Sequence, residues 1–145
     1  MHVSFFYQPN LNLKHYEAVI TAICNRAELF LELPSTLDVH LYRLNPSTYG
    51  GIDHHKLNRI VLSTDLQLKS IPMILVHELI HVSQRHTNML RIYNDGSYVW
   101  MGKFYTRTSP ELLPKDEYLN LPWELDVNDR LPLLLKKILD THTIP

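Results

Sequence analysis

The spacing of apolar residues along this chain changes period several times, and each change marks an element. Residues 3–7 form a β-prone run closed by Pro9 and Asn10, which predicts a first strand or an extended arm. Tyr16, Val19, Ile20, Ile23, Ala27 and Phe30 then recur at helical spacing, with Asn12 placed to cap the helix and Pro34 beyond its end. Leu37, Val39 and Leu41 alternate with Asp38, His40 and Tyr42, the period of a strand buried on one face. His40 is therefore expected at the surface. A turn-rich connection over residues 45–51 leads to two short strands, residues 52–55 and 59–63, joined around Lys56-Leu57-Asn58 as an antiparallel meander.

The next apolar segment, residues 72–82, reads as a buried helix running to about His86, with Ser70 as cap and Pro72 in the first turn. It carries His77-Glu78-Leu79-Ile80-His81. At 3.6 residues per turn the two histidines lie on one face, so their imidazoles can converge on a tetrahedral Zn²⁺ with Glu78 beside its open position. A glutamate there can draw a proton from zinc-bound water, whose pKa the metal can lower to about 7. A core helix carrying these residues by chance is the alternative. Against it, three ionisable groups among Ile, Leu, Val and Met each cost a few kcal/mol in desolvation unless a partner compensates, and a metal is the simplest single partner. His86, about 500° beyond His81, points away from that face.

Residues 94–96, Asn-Asp-Gly, read as a mobile segment before the aromatic stretch 97–105, which is either a hairpin or a lid-like loop. That stretch either covers the core or walls a substrate cleft. Residues 110–116 form a connector, and a late helix opens at Asn120-Leu121-Pro122-Trp123-Glu124 with Asn120 as cap. Pro132 is expected to kink or restart it. His54-His55 does not make a second metal site in a regular strand, because neighbouring side chains there point to opposite faces.

Composition narrows the class without naming a partner. At 145 residues, 45% apolar and 20% charged, the chain is expected to be one globular domain spanning residues 1–145. A net charge of -1 gives no general attraction to nucleic acid or anionic membrane. The single cysteine, Cys24, excludes an internal disulfide framework and reads as a buried thiol. With no basic leader and no run of roughly 18 apolar residues, a cytoplasmic protein is expected.

A catalytic zinc site needs three protein ligands and a free position. Glu124 is the leading candidate for the third, with Asn128 one turn later placed to orient a histidine; a carboxylate simply favoured by the helix dipole is the alternative. The H-E-x-x-H stretch together with Pro122-Trp123-Glu124-Leu125-Asp126-Val127-Asn128 resembles the gluzincin group of zinc metallopeptidases. Its small members, phage-encoded ones among them, carry a later glutamate helix that often reads P-W-E-x-E-A. Asp126 and Val127 stand here in place of the E-A pair, which keeps Asp126 as a second candidate ligand. The absence of a G-x-x-H extension after His81 argues against the metzincin pattern.

The resemblance implies an α+β zincin-like fold: a twisted, mostly antiparallel sheet, a central H-E-x-x-H helix, a later glutamate helix, and the strand at residues 59–63 at the edge that receives an extended peptide. It implies Zn²⁺ held by His77, His81 and Glu124, with Glu78 as general base. It also implies a Tyr or His that stabilises the oxyanion, a role worth about 3 kcal/mol in other enzymes; Tyr118 and Tyr105 are the candidates. A zinc-dependent peptidase acting on a peptide or protein is thus the leading expectation. The competing one is a non-catalytic interaction or virion-associated module whose zinc is structural or vestigial. Cleavage of DNA-bound proteins is disfavoured by the charge, and peptidoglycan amides would require export or phage-mediated delivery.

Overall fold

A computed structural model describes residues 1–43, 50–52, 56–106 and 120–140. Tyr118, the His54-His55 pair and the connector at 110–116 lie outside the described residues. Strand β1 (His2–Phe6), helix α1 (Lys14–Ala27) and strand β2 (Thr36–Tyr42) form a β-α-β unit, with β1 and β2 parallel and Phe5 level with Val39. Strand β3 (Gly50–Ile52) pairs antiparallel with β4 (Arg59–Ser63), and β4 returns parallel to β2, giving the order β1-β2-β4-β3. Helix α2 (Ile71–His86) follows a 3₁₀ turn, Leu68–Ser70. A second, antiparallel sheet joins β5 (Leu90–Ile92), β6 (Tyr98–Trp100) and β7 (Lys103–Tyr105), and helix α3 (Pro122–Leu139) closes the described chain.

The class is α+β and β3 and β4 pair antiparallel, as expected, but the four-stranded sheet is not mostly antiparallel. Two of its three pairings are parallel, because α1 carries the chain back between β1 and β2, and β3 lies one strand beyond β4. Alternation in a sequence specifies which face of a strand is buried and says nothing about its neighbour. Two further corrections follow from that order. Strand β3 begins at Gly50, inside the expected turn, and is an edge strand of the described sheet, as β1 is at the other side, whereas β4 is interior and does not offer an edge to a peptide.

The main core lies between the four-stranded sheet and the three helices. Leu37, Val39 and Leu41 of β2 and Ile60 and Leu62 of β4 meet Ile20, Ile23 and Cys24 of α1, Leu75, Leu79 and Ile80 of α2, and Val127 and Ile138 of α3. From Glu78 to Arg85 every residue of α2 is buried, the mark of a helix enclosed on all sides. Its entry is fixed from α1, where the Tyr16 hydroxyl donates to the carbonyls of Thr64 and Leu66 just upstream. A second cluster, Leu90, Tyr98, Leu121 and Trp123, packs the small sheet against the start of α3.

Several expected boundaries move. Helix α1 ends at Ala27, with Glu28 to Leu31 in turns, and leaves Phe30 exposed; Asn12 Oδ1 accepts from Lys14 N at 3.4 Å from one position before the cap. Leu121 rather than Asn120 caps α3, and Ser70 makes no side-chain capping bond to α2. Helix α3 does not restart at Pro132 but runs on through it: the residue whose carbonyl the proline leaves without its helical donor is the exposed Asn128, where water is at hand. Residues 94–96 are a tight turn, with Gly96 at φ 85° and Ser97 N donating to Asp95 Oδ1 at 2.9 Å. His40 is half-buried, its ring stacked on Phe6 at 4.7 Å.

Candidate metal centre

One turn apart on α2, His77 and His81 set their rings 5.0 Å apart between centroids and at 73° to each other. The two differ in exposure. His77 retains 30% of its side-chain surface, whereas His81 retains 5%. Facing them from the first turn of α3 is Glu124, seated by its neighbour Trp123, whose ring meets Tyr98 edge-on at 4.5 Å. One Glu124 oxygen lies 3.0 Å from His81 Nε2 and the other 3.5 Å from His77 Nε2.

These three side chains place one ligand atom each within 4.8 Å of one another, and among the described residues they form the group able to hold a metal ion. Tetrahedral bonds of about 2.0–2.1 Å separate neighbouring ligand atoms by about 3.3 Å. The two nitrogen-oxygen separations, one to each oxygen of Glu124, lie near that spacing, and the donor set of two imidazoles and a carboxylate suits a divalent ion of zinc's kind.

Electrostatics follow from depth. Burial alone raises the Glu124 pKa, but contacts with His77 and His81 outweigh it and hold the carboxyl at about 2. Burial pulls His81 down, and the hydrogen bond and charge of Glu124 more than reverse this, so His81 lies above its ordinary value. Glu78 is raised, chiefly by burial, against the pull of the two histidines. Glu78 lines an open cavity of about 300 Å³ with Gly50, Met73, Ile74, His77 and Leu131. A carboxylate with an elevated pKa beside a cavity is suited to accept a proton.

The residue that orients His81 is not Asn128, which is exposed. Gln84, fully buried, does so: its Oε1 is 2.8 Å from His81 Nδ1. Gln84 Nε2 donates to the Trp123 carbonyl at 3.0 Å and to Asp126 Oδ2 at 2.8 Å, and Arg130 donates to the same Asp126 oxygen at 2.9 Å. Asp126 is thus no part of the three-residue group but ties Gln84 to α3. The signal for Gln84 was present, since a polar side chain three residues after His81 in an apolar helix needs a partner on the same face. Tyr105 stacks on Tyr98 at 4.9 Å, within the second cluster rather than along the cavity, with Lys103 Nζ 5.1 Å from its ring centre.

No family model, curated protein or solved structure matches the chain. None of the helices described is long and apolar enough to cross a membrane.

Proposed function

We propose that this chain is a zinc-dependent peptidase or amidase of gluzincin type, with His77, His81 and Glu124 holding the ion and Glu78 as general base. The observation that carries the reading is the convergence of two imidazoles and a carboxylate, one ligand atom each within 4.8 Å of one another, next in sequence to the buried Glu78, which with His77 lines an open cavity. A zinc ion bound there would supply Lewis acidity to a water molecule and to the scissile carbonyl. Glu78 takes the proton of that water and returns it to the leaving amine nitrogen, acting as base and then acid at one carboxylate. His77 stands at the cavity face, so substrate reaches the site past it, while His81 and Glu124 are closed off from water behind it.

Among the described residues β3 pairs on one side only, and its Gly50 lines this cavity, so an extended peptide can add to that edge through main-chain hydrogen bonds. Gly50 lets β3 come close to α2: a Cβ there would lie 3.1 Å from Leu62 Cδ2 and 3.2 Å from both Ile74 Cγ2 and the Val61 carbonyl oxygen. The test is hydrolysis of a mixed peptide library by zinc-loaded protein, followed by mass spectrometry. New termini should appear with the parent, vanish on chelation, return with zinc, and stay absent in Glu78→Gln. Cleavage unchanged by chelation and by that substitution rejects the proposal.

A further inference from the structure

We infer that Gln84 is a positioning residue that fixes which nitrogen of His81 faces the metal, and that it latches α2 to α3 so that the donor set is assembled before an ion arrives. The inference rests on the zinc reading proposed above and concerns a residue outside the donor set. Its ground is the direction of a buried chain of hydrogen bonds. The Trp123 carbonyl and the Asp126 carboxylate can only accept, so the side of the Gln84 amide facing them must be the NH₂. The other side, Oε1, can then only accept, and the atom 2.8 Å from it, His81 Nδ1, must carry a hydrogen. In a neutral imidazole that leaves the lone pair on Nε2, the nitrogen directed at Glu124.

The chain is anchored at its far end by Arg130, which donates to the Asp126 oxygen that accepts from Gln84. Gln84 sits on α2, and its two acceptors sit on α3 next to and two residues after Glu124. One amide therefore sets the ring orientation of a donor on one helix and the register of the helix that supplies the carboxylate donor. An apolar side chain of equal size fills the same space but fixes neither.

The experiment combines ¹⁵N imidazole spectra with zinc titration of the parent, Gln84→Met and Asp126→Asn. In the zinc-loaded parent, His81 should show hydrogen on Nδ1 and metal on Nε2. Gln84→Met, which keeps the volume, should weaken zinc binding by about tenfold to hundredfold and lose the slowly exchanging Nδ1 hydrogen, with the helical circular dichroism unchanged. Asp126→Asn should weaken it by less and keep the His81 pattern. A zinc-loaded parent with hydrogen on Nε2 of His81 and metal on Nδ1 overturns the inference without any variant, and so does Gln84→Met with parental affinity or an unaltered His81 spectrum. If the parent takes up no zinc, the metal reading fails on its own; the latch is then read in the metal-free protein, where His81 should keep a slowly exchanging Nδ1 hydrogen in the parent and lose it in Gln84→Met, and an unchanged Nδ1 signal in that variant overturns it.

Discussion

The two halves of α2 differ in composition and in surroundings: residues 71–77 carry His77 among apolar side chains, and residues 78–85 carry Glu78, His81, Ser83, Gln84 and Arg85. Residues 71–77 are open along one side, with Met73 52% exposed and Ile74 and His77 in the cavity wall, whereas residues 78–85 are buried without exception. In the open half a polar side chain can be served by water. In the closed half it needs a protein partner, because an unpaired buried polar group costs about 1–3 kcal/mol and a charged one more. That is why His81 is held at both ring nitrogens, by Glu124 and by Gln84, and why a long-range pair of helices meets at this turn. The donor group straddles the boundary: the closed half holds, and the open half admits.

The comparison breaks most visibly at Glu124. Glu124→Ala removes the carboxylate shared by both histidines and should lower zinc affinity by more than about hundredfold, abolishing any hydrolysis; isothermal titration with zinc checks it. Glu78→Gln separates holding from chemistry. Zinc should bind as in the parent while peptide cleavage falls by about 10²- to 10⁴-fold, the range for losing a positioned acid-base group.

The pH response sharpens the contrast between the metal-free and loaded protein. In the metal-free chain Glu124 is held at about 2, so its stabilising contribution is present above its unfolded value of 4.5 and is lost as pH falls through the folded one. His81 is raised above 6.5, so its contribution is present below 6.5 and is lost as pH rises through the folded pKa. The pair therefore supports the metal-free fold best between 4.5 and 6.5. Zinc requires the unprotonated ring, so its stabilisation should grow as pH climbs past that window. Thermal unfolding with and without zinc from about pH 5 to about pH 9 should show Tm curves that diverge on the alkaline side. Parallel curves would remove His81 from the donor set.

Smaller effects belong to exposed positions. Asn128→Ala should leave zinc affinity within about twofold and stability within about 0.5 kcal/mol, as for surface changes generally. Met73→Ala should likewise spare stability and alter only KM, read from steady-state cleavage.

How much of this was legible without coordinates depended on range. Helix α2 was readable almost to the residue, since an apolar segment with Pro72 at its start and charged residues near its end is a local signal. Glu124 was readable as a member of the group because few residues after His81 offer suitable chemistry on one helix face. Alternation located β2 and β4 but not the parallel pairing between them, which depends on where α1 and β3 carry the chain. Strand β5 was missed because three residues give too short a pattern to read. The expectation of Asn128 as the orienting residue rests on its spacing from Glu124 along α3, which says nothing of what lies beside His81 on α2. The partner lay on α2 itself, three residues on.

X-ray absorption at the zinc edge of protein loaded with one equivalent of zinc tests the central claim most directly. The account predicts one tightly held ion per chain with two imidazole nitrogens, a carboxylate oxygen and one further oxygen from solvent at about 2.0–2.1 Å, and no sulfur. A protein that retains no zinc, or a closed shell of four protein donors, would contradict it.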